Sequence, residues 1–112
     1  MRKDDLVFVR HMLDMALSAR DKITGKDRAA YDNDETLRLA LAYLIQTIGE
    51  AARQVAPEFR DTHPEIPWTK IVAIRHRIVH DYLHVDYDIV WDVVTTDLPP
   101  LIDQLNRITA NP

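Results

Sequence analysis

Leu37, Leu41, Leu44, Ile48 and Val55 recur at steps of three, four and seven, with no strand-like alternation between them. An apolar stripe at that period is buried by laying a helix against other helices. The same period governs the N-terminal stretch, where Leu6, Val9, Leu13, Ala16, Leu17 and Ile23 precede a natural stop at Gly25. The second helix is expected from about Asp34 to Ala56, capped by Asp32, Asn33 or Asp34 and ended by Pro57. Between these two helices, GKDRAAYDND reads as a polar connection, and PEFRDTHPEIP, residues 57–67, reads as a linker with room for one short turn. A third helix is expected over Pro67–Asp81, with Pro67 in its first turn. Asp86 is placed to cap a fourth, carrying Ile89, Val90, Val93, Val94 and Leu98. Pro99 and Pro100 interrupt it, because proline lacks the backbone donor and crowds the preceding turn. Either that helix kinks there, or a fifth begins with Leu101, Leu105 and Ile108 on its inner face. The expected fold is all-α, an antiparallel bundle of four to five helices occupying residues 1–112 as one domain.

A second line runs beside the apolar stripe of the second helix: Ala42, Gly49, Ala52 and Ala56. Glycine inside a helix costs about 1 kcal/mol relative to alanine, so a close approach by another segment should offset it. Tight packing within the chain and a subunit interface both fit.

With 112 residues, the surface is large for the core, and association with a second copy would supplement it. The formal net charge of −4 excludes a general nucleic-acid coat protein, so any nucleic-acid role must come from a local patch. The absence of cysteine excludes disulfides and thiolate zinc sites. MRKDDLVFVR lacks the apolar run of a signal peptide, and no segment reads as a membrane span. A cytoplasmic protein with no membrane contact is expected.

The chemistry-bearing stretch is RHRIVHDY, residues 75–82. On an ideal wheel, Trp68, Ile71, Val72, Ile78, Val79 and Tyr82 all fall within about 60° of Arg75 on either side. Arg75 is therefore expected in the middle of an apolar face, while Lys70 and Arg77 lie opposite. A guanidinium so placed needs a partner. It can pair with a carboxylate such as Glu50, snorkel to an edge, or line a cleft that receives an anion. His80 lies about 140° from Arg75 and converges with it only if the helix ends near His80, or if a second chain brings the two together. His76, His80 and His84 are four residues apart, a spacing that can hold a metal from one helix face. The metalloprotease pattern, however, needs glutamate after the first histidine, where this chain has Arg77, and two arginines repel a cation. No metal or other cofactor is expected.

These groups suit metal-free cleavage of RNA. A ribose 2′-hydroxyl attacks the adjacent phosphorus and requires a base for its proton, an acid for the leaving oxygen and a cation for the phosphate charge. Histidine titrates near neutrality and can move the protons. Arginine presents a planar fork to phosphate oxygens. Tyrosine can bond the phosphate or stack on a base.

Arg75, His80 and Tyr82 form an R-x-x-x-x-H-x-Y pattern, and IPWTKIVAIRHRIVHDYLHVDYDIVWDVVTTDLPPLI (residues 66–102) and TIGEAAR (residues 47–53) surround or support it. In these stretches, and over nearly its whole length, the chain resembles the small HepT-like toxins of the HEPN ribonuclease superfamily. The family form often has asparagine where this chain has His76. The resemblance implies an all-helical homodimer with a ribonuclease site in the cleft between subunits and with Arg75 and His80 catalytic. His76 and Arg77 are candidate substrate contacts. It further implies a toxin paired with an MntA-like nucleotidyltransferase antitoxin, which silences it by transferring AMP from ATP onto Tyr82. The rival expectation is a HEPN scaffold that binds a nucleotidyltransferase without cleaving RNA.

Overall fold

The computed structural model describes residues 3–81 and 84–110. Helix α1 spans Lys3–Ile23. It stops where expected: Gly25 has φ +74°, a left-handed conformation open to a residue without a Cβ, and the Lys26 amide bonds the Ile23 carbonyl at 2.9 Å.

The expected polar connection contains a short helix, α2 (Arg28–Asp32), whose N-cap Asp27 accepts the Ala30 amide. It brings Tyr31 into the core, fully buried. The Tyr31 hydroxyl donates to the Tyr87 carbonyl at 2.6 Å, and its ring packs against Trp91 with centroids 4.8 Å apart. Arg28 reaches both Asp32 and Asp88, and the Arg38 guanidinium lies over the Tyr87 ring. Together these contacts brace the start of a later helix, α7 (Tyr87–Asp92).

Helix α3 (Glu35–Arg53) follows its stripe, and of the three candidate caps Asp34 is the one used, accepting the Leu37 amide at 3.0 Å. It is the central element: α1 runs along it and α2 and several later helices pack on it, while the last helix packs on α1. Its small-residue line faces inward. Ala42, Gly49 and Ala52 are all buried within the chain, and a Cβ on Gly49 would lie 2.9 Å from the Ile71 carbonyl oxygen. For these three residues the close approach is intramolecular.

The expected linker also holds a helix, α4 (Pro57–Thr62), with proline in its first turn. The corner between α3 and α4 is closed by Arg60, which donates to the carbonyls of Ala52, Arg53 and Val55 at 2.9, 3.1 and 3.1 Å. Asp5 of α1, 4% exposed, accepts the Ala56 amide at 2.9 Å.

The third helix does not run to Asp81. It breaks at Ala73, which ends α5 (Trp68–Val72) and begins α6 (Ile74–Ile78). The chain then forms a small antiparallel hairpin of β1 (Val79–Asp81) and β2 (His84–Val85). Asp86 caps α7 (Tyr87–Asp92), as expected. A π-helical turn, Val93–Asp97, joins α7 to α8 (Leu98–Ala110). Pro99 and Pro100 thus sit in the first turn of α8, directly after the π-helical turn, and the helical path continues through them.

The molecule extends 43 × 31 × 19 Å. Its thinnest dimension equals about two helix diameters, so the bundle is two layers deep. The architecture is all-helical apart from the hairpin. No helix among the described residues is long and apolar enough to cross a membrane.

Candidate active site

The buried side of α5 and α6 consists of Trp68, Ile71, Ile74 and Ile78. Ile74 falls about 100° from Arg75 on the wheel, and the break at Ala73 turns the helix toward it. This overturns the expectation that Arg75 points into the apolar face: Arg75 is exposed, at the edge of the buried side. Of the three outcomes open to Arg75, the pairing with Glu50 is absent. Glu50 lies 3.8 Å from Arg53, and among the described residues no carboxylate pairs with the Arg75 guanidinium. His76 beside it is exposed as well.

Arg77 is differently placed. Half-buried, it reaches from α6 to Asp97 in the π-helical turn at 3.4 Å, and Lys70 approaches the same carboxylate oxygen at 3.6 Å. Its charge is committed to holding two elements together. Asp97 is a partner that the sequence pattern does not flag, being one acidic residue in a polar stretch before the prolines.

His80 leaves the helix. Helix α6 ends at Ile78, and the Val79 amide closes its last turn on the Arg75 carbonyl. In the hairpin Val79 pairs with Val85 and Asp81 pairs with His84, two steps on β1 against one on β2. His80 is the extra residue of this β-bulge. Bulges break the side-to-side alternation of a strand and re-aim a side chain. Here the exposed ring is aimed at Asp86, with His80 Nε2 3.3 Å from Asp86 Oδ2.

Asp86 is fixed by its second task. Its Oδ1 accepts the amides of Asp88 and Ile89, each at 3.1 Å, and its own amide donates to the Ile78 carbonyl at 2.6 Å. The Ile89 amide, followed by His80, holds its carboxyl below the usual carboxylate range. An ionised carboxylate only accepts hydrogen bonds, so in this contact His80 Nε2 is the donor, and in the neutral ring Nδ1 is then an acceptor.

The second histidine of the hairpin, His84, places Nδ1 2.9 Å from both carboxylate oxygens of Asp81. The three histidines spaced for a shared metal thus occupy α6, β1 and β2 and do not share a helix face. Among the described residues no group of three or more His, Cys, Asp or Glu side chains is placed to hold a metal ion. Tyr82 lies outside the described residues.

Arg75, His76 and His80 therefore share a short exposed corner where α6 turns into the hairpin. A cleft of about 260 Å³ between α5, the π-helical turn and α8 is lined by Lys70, Ile71, Asp97, Leu98 and Gln104 and includes none of those three.

The family described as Ribonuclease HepT-like matches residues 12–108, which include this corner. The chain belongs to that HepT-like family. It is 28% identical over 101 residues to "Putative RNase TTE0752" of Caldanaerobacter subterraneus, covering 90% of each chain. It is 28% identical over 100 residues to "Putative RNase MJ1380" of Methanocaldococcus jannaschii, covering 89% of this chain and 92% of the other. "Probable ribonuclease HepT" of Thermococcus cleftensis is 31% identical over 75 residues, 67% of this chain and 68% of that one. No solved structure matches. The HepT-like resemblance and the all-helical expectation both hold.

Proposed function

We propose that this protein is a metal-independent endoribonuclease, the toxin of a toxin–antitoxin pair, acting as a homodimer whose cleft is formed by the α6–hairpin corners of two copies. The observation that carries this reading is the exposed Arg75, free of a carboxylate partner among the described residues and five positions from His80. An acidic chain that leaves a guanidinium open in this way has a place for a phosphate. Membership of the HepT-like family, and the ribonuclease names of relatives covering most of the chain, support the same reaction class.

In the proposed reaction Arg75 takes two phosphate oxygens in a bidentate grip. His80 Nδ1 accepts the 2′-hydroxyl proton as O2′ forms its bond to phosphorus. The bond to the 5′-oxygen breaks, and that oxygen takes a proton from the partner's His80, which enters the step as imidazolium with Nδ1 also protonated. The products are a 2′,3′-cyclic phosphate and a free 5′-hydroxyl, so DNA is not cleaved. A nucleotidyltransferase antitoxin silences the protein by transferring AMP from ATP to the Tyr82 hydroxyl with release of pyrophosphate, which adds an anion and a bulky nucleoside two residues from His80.

The test is a gel assay on RNA and DNA. Arg75→Ala and His80→Ala should each lower RNA cleavage by about two to four orders of magnitude, with the helical circular dichroism retained. EDTA should leave the rate unchanged. Full activity in either variant, or loss on chelation, would overturn the mechanism. A wild-type protein that binds a nucleotidyltransferase and cleaves no RNA would establish the scaffold instead. Incubation with the antitoxin, ATP and magnesium should add AMP mass to Tyr82 and none to Tyr82→Phe. Mass on another tyrosine would refute the switch.

A further inference from the structure

We infer that Asp86 is a positioning residue for His80, fixing the imidazole with Nε2 protonated so that Nδ1 faces the RNA as the proton acceptor. The role of the ring rests on the ribonuclease reading above; the geometry of the pair does not.

Three observations converge on Asp86. The first is the bulge. A regular strand would turn His80 to one side of the ribbon by alternation, but the two-against-one register removes that constraint and leaves the ring needing another source of orientation. The second is the way the carboxylate is divided. Oδ1 is taken by the first amides of α7, which leaves Oδ2 pointing back over the hairpin, where it meets Nε2 at 3.3 Å. A carboxylate locked at one oxygen is a fixed reference for a mobile ring. The third is the brace behind it. Arg28 holds Asp88, Tyr31 bonds the Tyr87 carbonyl, and Arg38 covers the Tyr87 ring. The start of α7 is thereby tied to α2 and α3, and through Asp86 so is the histidine.

The ring is exposed, so without Asp86 it would sample several rotamers and both tautomers. Orientation of this kind contributes to rate and little to binding. Among the described residues, Asp81 and His84 of the hairpin contact each other, Asp88 is on Arg28, Arg77 is on Asp97, Arg75 and His76 are on α6, and Asp92 is at the far end of α7. None of these contacts duplicates the hydrogen bond from Asp86.

Asp86→Asn is the informative variant. Asparagine caps helices as well as aspartate, so α7 is preserved. Its side-chain amide, however, presents a donor where the carboxylate oxygen was. That asks Nε2 to become the acceptor and favours the opposite tautomer, as an acid-to-amide change does beside a triad histidine. Asp86→Ser is the second variant: the hydroxyl still caps and is too short to reach the ring. Both are examined by ¹⁵N imidazole shifts of His80 at a pH where the ring is neutral, and by kcat and KM on RNA. The expected result is a protonated Nε2 in the wild type and a shift toward a protonated Nδ1 in Asp86→Asn. In both variants kcat should fall about ten- to a hundredfold, with KM within about twofold of wild type. An unchanged His80 tautomer in Asp86→Asn, or wild-type kcat in both variants, overturns the proposal. The tautomer measurement needs no catalysis: if the wild type cleaved no RNA, the ribonuclease reading would fall while the imidazole spectrum still decided the role of Asp86.

Discussion

Gly49 of α3 and the carbonyl of Ile71 in α5 approach so closely that a single added carbon would sit 2.9 Å from the oxygen. Alanine is the better helix former by about 1 kcal/mol, so on propensity alone Gly49→Ala should stabilise. The obstacle is backbone and cannot rotate away. Moving α5 also moves Trp68, Ile71 and the corner beyond them. We expect Gly49→Ala to lower the unfolding free energy by about 1–3 kcal/mol in urea. The opposite sign would mean that α5 yields without loss.

The same pair shows how far the sequence could be read. A glycine within a stripe of small residues announced a close neighbour but not which one, since chain and partner copy leave the same signature. The long helices were legible because many residues repeat one instruction, as Leu37 through Val55 do. Tyr31 was not, because one aromatic in a polar run has no period. Arg75 misled for a related reason. The wheel assumes one straight helix, and the break at Ala73 makes two. Asp86 was legible as a cap from its place before Ile89 and Val90. Its reach to His80 was not, because that depends on a bulge in a hairpin of five residues' pairing surface, too short to leave an alternating pattern.

Tyr31 should make the fold sensitive to alkali. Its burial pushes the phenol up to about 12 from the ordinary value of 10. In this window the unfolded chain gives up the proton and the folded chain keeps it. Stability is therefore fully present below pH 10 and lost as pH rises toward 12. Urea midpoints measured between pH 9 and 11.5 should fall with pH, and the Tyr31→Phe variant, less stable at neutrality for want of the bond to Tyr87, should show a shallower decline. Parallel declines would remove Tyr31 as the cause.

Acid acts at the other end of the brace. The Asp86 carboxyl is held below its ordinary value of 3.8 by the Ile89 amide and then by His80. A depressed folded value means that its contribution is present above the unfolded value and lost as pH falls through the folded one. Lowering pH from 4 should loosen the start of α7 and be visible in the fluorescence of Trp91, which packs on Tyr31. In Asp86→Asn this acid-dependent step should be absent, because the amide caps without titrating. A step of the same size in that variant would assign it to another carboxylate.

Arg75 and Arg77, two residues apart, should respond in opposite ways to truncation. Arg77 joins α6 to the π-helical turn through Asp97, with the two side chains 31% and 30% exposed. Ion pairs this open to water contribute about 0.2–1 kcal/mol, and Lys70 remains on the same carboxylate in its absence. Arg77→Ala should thus cost a fraction of a kcal/mol in stability and leave RNA cleavage within about threefold of wild type, since its charge is already turned toward protein. Among the described residues Arg75 has no such commitment. Arg75→Ala should leave the urea midpoint almost unmoved and cut cleavage by about two orders of magnitude or more. Paired urea melts and single-turnover cleavage rates on both variants check this. If Arg77→Ala proves as damaging to cleavage as Arg75→Ala at unchanged stability, the Asp97 contact opens when RNA arrives, and Arg77 contacts substrate after all.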